Sequence, residues 1–167
     1  MWLVVPITIL VAYFAFLRNR TSAKETKNSE NFWKLESEAN STRRRDISGI
    51  EFVTIDETKL PFGFRPEGAD EVTLADIESA EQSIRGLQGE KIADFSMFTN
   101  TKLKLLYGAP NFPILSQADQ NYLTLIRALD KWAALLDGCG SKDESRQIAR
   151  FAVSIGSDIK RTVTLAD

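Results

Sequence analysis

The chain has 167 residues, 43% hydrophobic and 26% charged, with one Cys, no His and a formal net charge of −2. Without imidazole there is no Ser-His-Asp or Cys-His couple, no His-ligated zinc and no histidine proton switch, and one thiol makes neither an internal disulfide nor a multi-cysteine metal site. The length fits one domain of ordinary size, and so small a net charge predicts no nucleic-acid partner.

Residues Trp2 to Leu17 carry no charge, and only Pro6 and Thr8 interrupt an apolar run. As a helix this run is about 24 Å long at ~1.5 Å per residue, the lower edge of what crosses a ~30 Å hydrocarbon core, and snorkelling by Arg18 and Arg20 supplies the shortfall. A cleaved signal peptide would carry its cations ahead of the apolar run, whereas here they follow it, and Ala15-Phe16-Leu17-Arg18 is a poor cleavage site. A buried core helix would show periodicity, and this segment is apolar all round. The expectation is a retained transmembrane anchor over residues 1–17. Arg18, Arg20, Lys24 and Lys27 directly behind it predict a single-pass protein of the cell membrane, N-terminus outside and C-terminal domain cytoplasmic, for which one cysteine suffices.

The small net charge hides an asymmetry. From Arg18 to Arg45 eight Lys/Arg stand against four Asp/Glu, and from Asp46 to Asp167 thirteen stand against nineteen. Residues 18–31 are polar and aperiodic, a basic tether in which Arg18, Arg20, Lys24 and Lys27 are candidate lipid-facing cations; orienting charge of the kind any anchor carries is the favoured reading of them.

A helical region with one short strand and Pro/Gly loops is expected over 32–114. Phe32 to Asn40 follows Ser29, has acids in its early turns and is placed to close on Arg43, Arg44 and Arg45, an order that complements a helix dipole. Ile50 to Ile55 alternates apolar and polar residues and reads as a strand. Leu60 to Pro66 is a loop pinned by its aromatic rings. Between Asp70 and Asp94, Leu74, Ile77, Ala80, Ile84 and Leu87 share one helical face, with a break at Gly86 or Gly89. The acids Asp70, Glu71, Asp76, Glu78 and Glu81 lack the spacing of a calcium loop and are assigned to a solvated face. Thr99 or Thr101 caps a short helix through Leu103, Leu106 and Tyr107 that stops at Gly108. Pro110 and Pro113 make 109–113 a stiff connector, unfit for helix or central strand.

Residues 115–167 are predicted to form a helical hairpin and the start of a further helix. Ser116 to Asp119 has the pattern of a capping box, and Tyr122, Leu125, Ile126, Leu129, Trp132, Ala133 and Leu136 follow it with helical period until Gly138 and Gly140. Ser141 and Glu144 then open a second helix through Ile148, Ala149, Ala152, Val153 and Ile155. So short a turn forces the two helices to pack antiparallel.

In order and spacing, Leu129, Trp132, Ala133, Leu136, Gly140, Ser145, Ala149 and Ala152 resemble one tetratricopeptide repeat, with Ser157 where that family usually has Pro. The likeness covers about 34 residues, one repeat. It implies that small residues let the helices approach closely while Trp132 and Leu136 fill the space between hairpins. It further implies that a protein or peptide partner would dock on the face presenting Arg127, Asp130, Lys131, Ala134 and Asp137. The family's clamp for a peptide's terminal carboxylate needs Lys and Asn where Asp130 and Ala134 stand, so that ligand is not implied. A single hairpin does not bury its own faces, and this one is expected to pack on earlier helices.

No phosphate-binding glycine loop, dinucleotide fingerprint or nucleophile elbow is present. Cys139 lies in a Gly-Cys-Gly turn with no imidazole to act as its base. The expectation is a mainly α, non-enzymatic scaffold or adaptor without cofactor or metal, tethered to a membrane. The alternatives are an anionic-lipid surface binder acting through the basic stalk and an enzyme using carboxylates alone.

Overall fold

The computed structural model describes residues 29–166. The anchor expected over 1–17 and the cations Arg18, Arg20, Lys24 and Lys27 lie outside the described residues. Among those described there are six α-helices: α1 (residues 29–41), α2 (Glu71–Arg85), α3 (Asn100–Tyr107), α4 (Phe112–Gly138), α5 (Lys142–Ser154) and α6 (Lys160–Ala166). None of them is long and apolar enough to cross a membrane. The chain divides into two compact units, residues 29–45 with Thr99–Pro110, and Asp46–Phe98 with 111–166.

In the first unit Thr99 caps α3 by accepting the Lys102 N–H, as its position before the apolar run requires. Lys104 Nζ and Thr101 Oγ1 each donate to the Glu36 carboxylate of α1 at 2.6 Å, and Lys104 also reaches Asn40 Oδ1 at 2.8 Å. The Lys104 hydrogen bond, and then that of Thr101, hold the Glu36 carboxyl below the usual carboxylate range. The three arginines do not close α1. The helix ends at residue 41, where the Ser41 and Thr42 hydroxyls donate back to the Glu38 carbonyl at 2.9 and 3.0 Å. Beyond it the backbone takes partners outside the helix: Ala109 N–H donates to Thr42 O and Arg45 N–H to Tyr107 O, both at 3.1 Å. Gly108 lies between these bonds at φ +89°, and a Cβ there would fall on the Arg43 carbonyl and 2.8 Å from the Arg44 Cα.

The second unit is built around α4, which packs against α2, α5 and α6. Its Leu115, Ala118, Leu125, Leu129, Trp132, Ala133 and Leu136 are completely buried. The helix begins earlier than the prolines suggested. Pro113 sits in its first turn, where a missing N–H leaves no bond unmade, so proline starts this helix rather than preventing it. Ser116 to Asp119 is accordingly helix interior and no capping box; the Asp119 carboxylate accepts the Phe95 N–H at 2.8 Å.

Ile50 to Ile55 is not a strand, and no strand occurs among the described residues. One backbone bond, Val53 N–H to Ile92 O at 2.8 Å, ties it to residues 87–98, which offer no ladder to extend. Its apolar positions Val53 and Ile55 pack on the core instead. The helix breaks at Gly86, the first of the two glycines expected to end it, and the following segment straps α4 through Ala93 N–H to Ala118 O (3.2 Å) and Asn121 Nδ2 to Lys91 O (3.0 Å).

Loop 60–66 is pinned as its rings predict, with Phe62 5.2 Å from Trp132. Its second fastening corrects the assignment of Glu81 to a solvated face. Glu81 is 3% exposed and accepts from Gly63 N–H at 3.0 Å and from Arg65 at 2.9 Å. Asp70 caps α2 through the Thr73 N–H. Gly138, Cys139 and Gly140 turn the chain into α5, with Ser141 N–H donating to Leu136 O at 2.9 Å; the Ser141 side chain itself makes no cap bond. The two helices approach closely where Ser145, fully buried, donates its hydroxyl to Ala133 O at 2.8 Å.

Candidate functional site

Arg127, Asp130, Lys131, Ala134 and Asp137 stand at positions i, i+3, i+4, i+7 and i+10 of α4 and form one stripe of that helix. Three of the five have partners within the second unit. Asp130 receives the Arg161 guanidinium, through Nε at 3.1 Å and again through NH2, and the Thr162 hydroxyl at 2.9 Å. Lys131 pairs with Asp76 of α2 at 2.7 Å, and Asp137 with Lys142 at 3.3 Å. Arg127 is exposed and Ala134 half-buried.

The local sequence accounts for this. Asp130 is one position from the completely buried Leu129, so its short side chain stays close to the helix, where Thr162 of α6 is itself fully buried. The Arg161 hydrogen bonds, and then that of Thr162, lower the Asp130 carboxyl below its ordinary value against the opposing effect of burial. Asp130 in turn raises the guanidinium above its own. These bonds favour the charged form of both groups, and the pair clasps α6 to α4.

The remaining open part of the stripe is a shallow groove of about 300 Å³ between α2 and α4, lined by Ser79, Ser83, Thr124, Arg127, Ala128 and Lys131. Its one cation without a partner in the groove is Arg127, and its walls are hydroxyls and methyl groups. The groove offers hydroxyl groups and one unpaired positive charge, and it aligns no acid–base couple. No group of three or more His, Cys, Asp or Glu among the described residues is placed to hold a metal ion.

Of the residues predicted for hairpin packing, Leu129, Trp132, Ala133, Leu136 and Ala152 belong to one core cluster, and Ala149 is fully buried like them. Arg161 and Glu81 were missed as organising residues. Arg161 carries no sequence signal toward Asp130, 31 residues away, whereas Glu81 stands one position beyond the core residue Ala80, a hint that it borders the apolar stripe.

What this fold defines is a small all-helical domain of packed helix pairs. No protein-family model matches the chain, and no curated protein or solved structure matches it.

Proposed function

We propose that this chain is a membrane-tethered, non-enzymatic interaction module that presents a hairpin resembling a tetratricopeptide repeat on the cytoplasmic side of the cell membrane. The observation that carries the reading is the α4–α5 hairpin, in which Ala133 and Ser145 meet at full burial and Trp132 and Leu136 fill the space beside them. The spacing of small and large residues that suggested the repeat is used here for close helix approach. The apolar run before Arg18, with cations only behind it, supports the tether and its orientation. Because α2 and α6 already engage Lys131 and Asp130, the partner meets the Arg127 end of the stripe.

Two measurements test this. Full-length protein expressed in cells should stay with the membrane pellet at alkaline pH, and its C-terminal domain should be protected from protease added outside; release into the supernatant or external cleavage refutes the tether or its direction. A photo-crosslinking residue at the exposed Thr124, which lines the groove beside Arg127, should give discrete protein adducts that the same residue at the exposed Val72 of α2 does not; identical adduct patterns refute the binding face.

A further inference from the structure

We propose that the N-terminal end of α1, carrying Phe32, Trp33 and Leu35, beds into the headgroup region of an anionic bilayer, with Arg43 and Arg44 supplying the charge. The proposal rests on the tether reading and assigns to it a second, surface contact.

Phe32 is 55% exposed, Trp33 65% and Leu35 46%, three large apolar side chains within four residues of one helix. At about 100° per residue they span an arc of about 160° centred on Phe32, with Lys34, Ser37, Glu38 and Ser41 on the opposite side. The later part of the same arc is already closed, since Ala39 is fully buried and Glu36 is tied to Lys104. Only the end nearest the apolar run is left bare. Phe32 and Trp33 meet edge to face with ring centroids 5.5 Å apart, a compact aromatic pair of the kind favoured where hydrocarbon meets headgroups.

Charge and chain length select the occupant. Residues 18–45 hold eight Lys/Arg against four Asp/Glu, complementary to an anionic leaflet. Arg43 and Arg44 are exposed at the far end of α1 on backbone held by the Thr42 and Arg45 bonds to residues 107–109. Fourteen residues separate Leu17 from Phe32. Fully extended, they reach at most about 50 Å, so an anchored chain keeps the aromatic end close to the surface at high effective concentration.

The full chain carrying Trp2→Phe and Trp132→Phe leaves Trp33 as the reporter. It is reconstituted into phosphatidylcholine vesicles with or without about 30% phosphatidylglycerol. In anionic vesicles Trp33 emission should shift to the blue, lipids brominated near the headgroup should quench it, and quenching by aqueous acrylamide, a neutral quencher, should fall about twofold relative to neutral vesicles. Arg43→Gln with Arg44→Gln, or ~0.5 M salt, should reverse the shift. An environment-sensitive dye on Leu35→Cys in a Cys139→Ser background must agree, which guards against a core effect of Trp132→Phe. Acrylamide access equal in both vesicle types, or no quenching by brominated lipid, overturns the proposal. Failure to float with vesicles at all refutes the tether itself, a result distinct from a chain that floats with Trp33 still in water.

Discussion

Trp132 is the most informative single position in the second unit. It is completely buried, its ring lies 5.2 Å from that of Phe62, and its indole N–H has no hydrogen-bond partner. Burying an indole removes roughly 200–250 Å² from water, worth about 5–6 kcal/mol at ~25 cal/mol per Å². The unmade hydrogen bond offsets about 1–3 kcal/mol of that gain. Trp132→Ala should therefore destabilise the unit by about 3–5 kcal/mol, moving a urea midpoint by about 2 M. Trp132→Phe keeps most of the ring contact and discards the unpartnered N–H, so it should cost less than about 2 kcal/mol. The assay is equilibrium urea denaturation of the full chain followed by circular dichroism, with both variants measured beside the parent. A loss under ~1 kcal/mol for Trp132→Ala would mean that the ring is not the packing centre of the hairpin. Equal losses for Ala and Phe would mean that the N–H has a partner after all.

Gly108→Ala should destabilise the first unit by about 2–4 kcal/mol, because it adds a positive-φ penalty to an overlap with the Arg43 carbonyl, and hydrogen exchange in α1 and α3 should accelerate. Gly68→Ala, at φ +77° with open space around its Cβ position, should cost only about 1 kcal/mol; parity between the two would refute the overlap. Glu81→Gln keeps an acceptor for Gly63 N–H and should cost about 1 kcal/mol, whereas Glu81→Ala strands both Gly63 and Arg65 and should cost about 2–4 kcal/mol in the same denaturation assay. Asp130 has a folded-state pKa below its unfolded value, so its contribution is fully present above about pH 4 and is lost as pH falls through the lower folded value. Protection of the α6 amides relative to intrinsic exchange at each pH should fall below that pH in the parent, and Asp130→Asn should show lower protection at neutral pH with the acid dependence removed. Unchanged α6 protection in Asp130→Asn would refute the clasp.

Local signals in this chain predicted helices well where the stabilising partner was also local. Thr99 as a cap, Gly108 as a stop and the Tyr122 to Leu136 stripe all rest on neighbours within a turn or two, and the structure has each of them. Ile50 to Ile55 has a strand's alternation but no second strand to complete a ladder, and the pattern of one segment carries no information about its partner. The prolines at 110 and 113 misled for the opposite reason. The rule against proline in a helix applies to its interior, and which turn Pro113 would occupy depends on where the chain enters, a choice made by the burial of Asn111 and Leu115.

The polar stripe of α4 shows the same limit at the candidate site. Spacing placed Arg127, Asp130, Lys131, Ala134 and Asp137 on one face, and that face exists; spacing could not say whether other helices of the same chain had taken it. Asp130 and Lys131 find Arg161 and Asp76 at separations of 31 and 55 residues, so the face changes from open groove to internal joint through contacts that no window of sequence contains. The consequence for function is a narrower surface than the repeat pattern implies. A ligand reading the whole stripe would have to displace α6 and break an ionised pair, whereas one reading Arg127 beside the hydroxyls of Ser79, Ser83 and Thr124 displaces nothing. The second route costs less free energy, which is why the crosslinking position belongs beside Arg127 and not at 130.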